Sequence, residues 1–322
     1  MNRPLRIATR ASELALRRAR AVQAMLAARE IESELVTFRT MGDKRFEEFL
    51  SPASTKAFFT HELQTALTRR KVDVAVHAYS DLSTDPVPGL AIGAVTKRDD
   101  PRDVLVVNEI IEATSLAELP RGTRVGTSSV RCRALIRAMF PDVEVVHLRG
   151  DLPTRLRKVD EGQVHATIVS SAALHQLDVS QRIAGYLEAP EWLPAPAQGA
   201  LALEIREDDA AARVVVEPLH DARTCIDTAG ERAVLAALEG GLQSPIGALV
   251  VEHEGPDRRR ALHAAIVDLQ GRQLLRASQS LADGADAALV GVRLANELRD
   301  LGASRILDAV RGADRIPAPQ PD

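Results

Sequence analysis

Three short apolar runs, Leu5 to Arg10, Ile31 to Phe38 and Val72 to Val76, are separated by two stretches of helical period. The first stretch, from about Ser12 to Arg29, sets Leu16, Ala19, Val22 and Leu26 on one face, and the second covers about Phe58 to Arg70. A strand–helix–strand–helix–strand order leaves few topologies open, because crossovers between parallel strands are right-handed and short. It predicts a parallel, doubly wound α/β sheet. Ligands of such sheets bind outside the carboxyl ends of the strands, so the polar residues there are the first to weigh.

The run Val72-Asp-Val-Ala-Val ends in His77, Ser80 and Asp81. A carboxylate at a strand end can hold a cation or move a proton; a helix N-cap or turn is its plainer role. Arg10 closes the first strand just before Ser12, the expected cap of the following helix. Backbone N–H groups and a positive dipole end favour an anion there, although a surface arginine is the plainer role for Arg10. The second half repeats the plan. Arg124-Val-Gly-Thr-Ser128-Ser129-Val-Arg131 reads as a strand ending in hydroxyls at the start of a helix to about Met139. Strands at Val143 to His147 and Ala166 to Ser170 flank the polar stretch Leu148 to Arg155.

Residues 41 to 56 show no clean period and read as a loop over the site, with Lys56 near its end. The charged run Lys97 to Asp103 and the proline-rich stretch after Leu193 read as crossings between two halves. Beyond about 217 the style changes to α+β: a helix over Thr228 to Leu238, a glycine-rich turn to Gly247, strands near 248–253 and 261–269, and a last helix over 284–301. The expected units are 1–99 with 200–217, then 100–199, then 218–312, with 313–322 a disordered tail.

A chain of 322 residues holds two or three such units. Its net charge of −4 and 3% aromatic content argue against nucleic acid, which needs a basic excess and stacking surfaces. Two cysteines make neither a disulfide framework nor a zinc site, and the eight histidines include no pair at metal-ligand spacing. No membrane-length apolar run or signal-peptide core is present, so a cytoplasmic protein without metal or membrane partner is expected. Guanidinium forks suit carboxylates. If Arg10, Arg131, Arg149 and Arg155 converge, they make a two-lobed cleft for a small polyacid.

Ile7-Ala-Thr-Arg-Ala-Ser12, Val74-Ala-Val-His-Ala-Tyr-Ser-Asp81, Asp100-Pro-Arg-Asp103, Val125-Gly-Thr-Ser-Ser129, Leu148-Arg-Gly150, Ala197-Gln-Gly-Ala200 and Leu238-Glu-Gly-Gly-Leu-Gln-Ser-Pro-Ile-Gly247 occur in this order. Together they resemble the porphobilinogen deaminase (hydroxymethylbilane synthase) family over about residues 5 to 312. The resemblance implies two periplasmic-binding-protein-like domains around a cleft, a small α+β third domain, and a monomer. It implies a transferase of tetrapyrrole (porphyrin and heme) biosynthesis that joins porphobilinogen units with loss of ammonia on a dipyrromethane primer. Asp81 matches the catalytic aspartate. Arg10, Ser12, Ser128, Ser129, Arg131, Arg149, Arg155 and Gln198 match substrate-binding positions, and Lys56 a lysine of the lid loop.

The chain departs from the family pattern at the primer. Leu242 occupies the place of the primer-bearing cysteine, and an alkyl side chain forms no thioether. Ser80, Cys132 and Gln176 stand where a lysine and two arginines are expected. Two functions therefore stay open: a transferase whose primer is held without a covalent bond or replaced, and a paralogue that binds a pyrrole or other small polycarboxylate without turnover. Cys132 is the only cysteine expected near the cleft, and a buried, inert thiol is its plainer role.

Overall fold

The computed structural model describes residues 3–44, 59–241, 244–252 and 259–313. Lys56, Leu242, most of the 41–56 loop and the 314–322 tail lie outside the described residues.

The chain opens with β1 (Leu5–Arg10), α1 (Glu13–Ala27), β2 (Ser33–Phe38), the short α2 (Met41–Lys44), α3 (His61–Thr68), β3 (Val74–Ala78) and β4 (Leu90–Val95). It then crosses to β5 (Asp103–Val107), β6 (Arg124–Thr127), α4 (Val130–Met139), β7 (Glu144–His147), α5 (Leu152–Asp160), β8 (Ala166–Ser170), α6 (Ser171–Gln176) and β9 (Gly185–Leu187). The return strand β10 (Leu201–Arg206) and α7 (Ala210–Val216) rejoin the first lobe. The last part holds α8 (Ala222–Ala237), β11 (Ile246–Glu252), β12 (Arg260–Val267), β13 (Leu274–Ser280), α9 (Ala287–Asp300) and α10 (Ala303–Ala313).

The first sheet has the order β2-β1-β3-β10-β4 and the second β7-β6-β8-β5-β9, the same plan twice. The sheets are mixed rather than wholly parallel, because β10 and β5 each run against their neighbours. Each of these strands arrives from the other lobe. A chain that crosses at the carboxyl ends must enter the next sheet from that edge, and so runs backwards through it. The third sheet, β11-β12-β13, is antiparallel and packs its apolar face on α8, α9 and α10.

Both faces of the first sheet are covered, which explains its unbroken apolar strands. Leu5, Ile7, Val74 and Val76 pack with Val22 and Leu26 of α1, while Ala8, Val72 and Ala75 pack with Leu63 and Leu67 of α3. Several elements differ from expectation. The stretch after Arg149 is not a loop throughout, since α5 starts at Leu152 with Asp151 accepting from the Thr154 N–H and Pro153 in its first turn. The helix expected at Thr228 begins at Ala222, capped by Asp221. The helix expected to be last is followed by α10, and β13 was not foreseen at all.

Candidate active site

The carboxyl ends of β1, β3, β6 and β8 open into a cavity of about 390 Å³ between the two lobes. Arg10, Ser80 and Asp81 line it from the first lobe; Ser128, Ser129, Arg131, Arg149 and Arg155 line it from the second. Gln198 enters from the return crossing. The four arginines therefore do converge. Ser12 is the exception: it stands at the N-cap position of α1, makes no capping hydrogen bond, and is not part of the cavity wall.

Asp81 follows β3 directly, in a single 3-10 turn over Tyr79–Asp81. Its carboxylate is half-buried and, among the described residues, makes no hydrogen bond and no ion pair. It is neither a helix cap nor half of a salt bridge. The turn that carries it is held from the third domain. The Arg232 guanidinium of α8 donates to the carbonyls of Tyr79 (3.0 Å), Leu82 (2.9 Å) and Ser83 (2.7 Å) and stacks 4.4 Å over the Tyr79 ring. Behind the turn, His77 Nε2 lies 3.0 Å from Glu204 of β10, whose other oxygen accepts from Gln64. These buried polar groups are paired, as the cost of desolvation requires.

The arginines differ in what they already hold. Arg10 pairs with Asp43 at 2.5 Å and lies 4.2 Å over the Phe59 ring. Burial opposes ionisation of Asp43, and Arg10 with Thr40 more than offsets it, so its carboxyl sits below the ordinary range. Arg131 is buried, with one arm of its guanidinium already engaged. It donates to Asp103 (2.7 Å) and to the Leu193 carbonyl (2.8 Å), and Asp103 overcomes the effect of burial and keeps it charged. Arg149 donates to His147 Nε2 at 2.6 Å, which makes that ring nitrogen an acceptor. Arg155 donates from Nε to the Gly150 carbonyl at 2.8 Å and forms no ion pair among the described residues. Burial lowers the pKa of both Arg149 and Arg155. A guanidinium nevertheless keeps its charge at neutral pH.

The hydroxyls divide in the same way. Ser129 caps α4 by accepting from the Cys132 N–H at 3.3 Å, while its own N–H bonds Thr127 Oγ1. Ser128 lines the cavity beside it. Cys132 is 2% exposed, and burial pushes its thiol up to about 11, so it is an inert thiol at neutral pH.

Four residues of the site are given no role by the sequence reasoning. Asp103 accepts from Arg131, from Trp192 Nε1 (2.7 Å) and from Gln198 Nε2 (2.9 Å), so Gln198 is positioned by it. The partners lie 28, 89 and 95 positions away, beyond any local signal. Ser170 lines the cavity while capping α6. Arg232 is masked by the ordinary helical pattern of α8. Arg18 faces the cavity from α1, where the tandem Arg17-Arg18 reads as a solvated face.

Among the described residues no group of histidine, cysteine, aspartate and glutamate is placed to hold a metal, and no helix is long and apolar enough to cross a membrane. An arginine-lined cavity with one unpartnered carboxylate can bind a small polycarboxylate and stabilise a positive charge that forms on it.

Comparison with known proteins agrees with this geometry. Residues 5–214 match the family model described as "Porphobilinogen deaminase, dipyromethane cofactor binding domain", and residues 225–300 the C-terminal domain of the same family. The porphobilinogen deaminase of Syntrophobacter fumaroxidans is 40% identical over 96% of this chain and 98% of its own length. That of Deinococcus radiodurans is 38% identical over 96% of this chain and 99% of its own. Among solved structures, the methionine binding protein MetQ covers 71% of the chain at 13% identity and a TM-score of 0.42, too loose a match to add to the topology. On the family match and the near full-length identity, the chain belongs to the porphobilinogen deaminase family.

Proposed function

We propose that the chain is a hydroxymethylbilane synthase-type transferase, joining porphobilinogen or a related pyrrole with loss of ammonia in tetrapyrrole biosynthesis. The observation that carries this is Asp81, a carboxylate without a partner facing an arginine-lined cavity. Arg149 and Arg155 hold carboxylate arms of the substrate, and the Ser128 hydroxyl adds a donor. When the substrate's C–N bond breaks and ammonia leaves, the remaining methylene becomes cationic. Asp81 faces that charge inside a cavity walled by both lobes, where pairing is stronger than in bulk water. The methylene carbon then bonds the free carbon of the accepting pyrrole, which gives up a proton.

The primer fits only in part. Leu242 excludes a thioether, whereas the cationic wall suits a dipyrromethane held by its carboxylates. Bound there, that group would supply the pyrrole carbon to which the next unit is joined. Cytosolic location, a monomeric state and independence from metal belong to the same proposal. So does the division into 1–99 with 200–217, 100–199 and 218–312, supported by each sheet drawing its strands from one unit.

The test is mass spectrometry of the purified protein, native and denatured, alongside ammonia release from porphobilinogen. Ammonia release with a pyrrole mass that survives native conditions and is lost on denaturation is expected. Binding of porphobilinogen with no ammonia and no product would leave a polycarboxylate-binding paralogue in its place.

A further inference from the structure

Arg18 differs from the other cations of the site in how it is held. It projects from α1 one turn after Leu14, and both side chains reach the cavity, while Ala19, Val22 and Leu26 turn into the core. Its Nε donates to Gln176 Oε1 of α6 at 2.8 Å, and Gln176 Nε2 donates in turn to Asp99 at 2.6 Å. The two bonds fix the amide so that its oxygen, a neutral acceptor, meets Arg18. Among the described residues Arg18 makes no other hydrogen bond and no ion pair. Its neighbour Arg17 does the opposite, pairing outward with Glu13 and Asp178.

A guanidinium anchored by one edge on a neutral partner presents its remaining N–H groups in a fixed orientation. Burial lowers the pKa of Arg18, as does Arg10 nearby, while Asp81 and Asp99 act in the other direction. The charge persists, since guanidinium does not deprotonate in proteins, and among the described residues no carboxylate sits within ion-pair distance of it. A recess of about 20 Å³, bounded by Arg10, Arg18, Asp81 and Phe59, leads off the main cavity on this side. Arg10 is already paired with Asp43, which leaves Arg18 as the cation of the recess without a carboxylate partner.

We propose that Arg18 receives a carboxylate arm of the ligand beside Asp81, and so requires an acidic substituent close to the reacting carbon. This deepens the proposed function: Arg155 and Arg149 grip acidic arms from the second lobe, and Arg18 grips one from the first. The arm also completes a bridge between lobes, from α1 through the ligand to α5 and the turn between β7 and α5.

The experiment is calorimetry on wild type, Arg18→Gln and Arg18→Lys with three probes: porphobilinogen, its dimethyl ester, and tricarballylate as a plain tricarboxylate. Arg18→Gln still reaches Gln176 by hydrogen bonding, so a purely structural bridge survives in it. A lost charge-assisted pair weakens binding roughly 10- to 100-fold. That loss is expected for the two acids, with Arg18→Lys recovering part of it and the ester bound alike by wild type and Arg18→Gln. In turnover the loss should appear in KM more than in kcat. Equal affinity of wild type and Arg18→Gln for the acids overturns the assignment, even if the melting temperature moves. Wild type that binds tricarballylate but not porphobilinogen sinks the pyrrole reading, and the tricarballylate difference alone then decides Arg18. Binding of neither acid overturns both.

Discussion

The strand β3 is bracketed by two aspartates with opposite circumstances. Asp73, just before it, is 1% exposed and saturated: Arg3 donates to both oxygens at 2.7 and 2.9 Å, Arg6 adds its backbone N–H and its guanidinium, and Arg206 lies at 3.4 Å. Asp81, eight residues on, has no partner among the described residues. Both carboxylates sit on the same frame and both face arginines, yet only one is neutralised by its surroundings. A carboxylate that the protein pairs internally stabilises the fold. One left facing a cavity is available to a ligand. The amino ends of the sheet are finished by the protein itself, and the carboxyl ends are left incomplete.

That contrast breaks down first at Asp81 if it is wrong. Asp81→Asn keeps the shape and removes the charge, and should lower kcat by roughly 10²–10³-fold, since the partner cation exists only on the way to product. KM and melting temperature should barely move. Undiminished turnover would remove Asp81 from the chemistry. Asp73→Asn should behave inversely. Leaving three arginines around a neutral amide costs about 2–4 kcal/mol of stability, seen as a lower denaturant midpoint with porphobilinogen affinity unchanged. Its pH dependence has a definite sign. Burial would raise the Asp73 pKa, but the arginine hydrogen bonds hold it well below the ordinary value of 3.8. Its stabilisation is therefore full above about pH 4 and is lost as the pH falls below that.

Arg232 tests whether the bare carboxylate must also be rigid. Arg232→Ala frees three carbonyls around the turn, and a small misplacement of Asp81 should lower kcat on the order of tenfold, with Arg232→Lys less affected. A change in KM alone would show that the turn holds its shape without the third domain.

The smallest effect is expected at His147. Burial, then the charges of Arg149, Arg133 and Arg155, push its pKa down to about 4. The unfolded chain takes up that proton first, so stability is full above about pH 6.5 and declines as the pH falls from there through 4. The residue as a whole is nevertheless open to water, although its ring is partly desolvated among the arginines, and solvent screening keeps the loss small. Carboxylates seated on Arg149 and Arg155 should raise the His147 midpoint in an NMR titration; an unmoved midpoint on ligand binding would place the acidic arms elsewhere.

What the sequence disclosed follows from the range of each interaction. Asp81 was legible because an apolar strand signal ends in polar residues within a few positions. The cavity-facing Arg149 and Arg155 were legible for the same local reason, though α5 itself was hidden by a proline that starts the helix rather than blocking it. Arg131 was placed correctly and its partner was not. Asp103 lies on another strand, 28 positions away, so the carboxylate that engages one arm of Arg131 left no local signal. The strand β13 alternates weakly at a sheet edge, with Leu274-Leu-Arg-Ala-Ser-Gln-Ser280 giving little apolar contrast. Arg18 escaped because a helix face lining a polar cavity has the composition of a face turned to water.

Glu231 sets the mechanics of the cleft. It is wholly buried and accepts both arms of the Arg98 fork at 2.7 and 2.9 Å, the Ala197 N–H at 2.8 Å and the Val250 N–H at 3.0 Å. One carboxylate thus pins the outgoing crossing, the return crossing and the third domain together. Between α1 and α6 the lobes are joined by far weaker means: Arg17 with Asp178, both well exposed, and Arg18 with a neutral amide. Exposed pairs of that kind are worth roughly 0–1 kcal/mol. The molecule is therefore fastened like a book with a riveted spine, most firmly where both crossings meet the third domain and least firmly between α1 and α6.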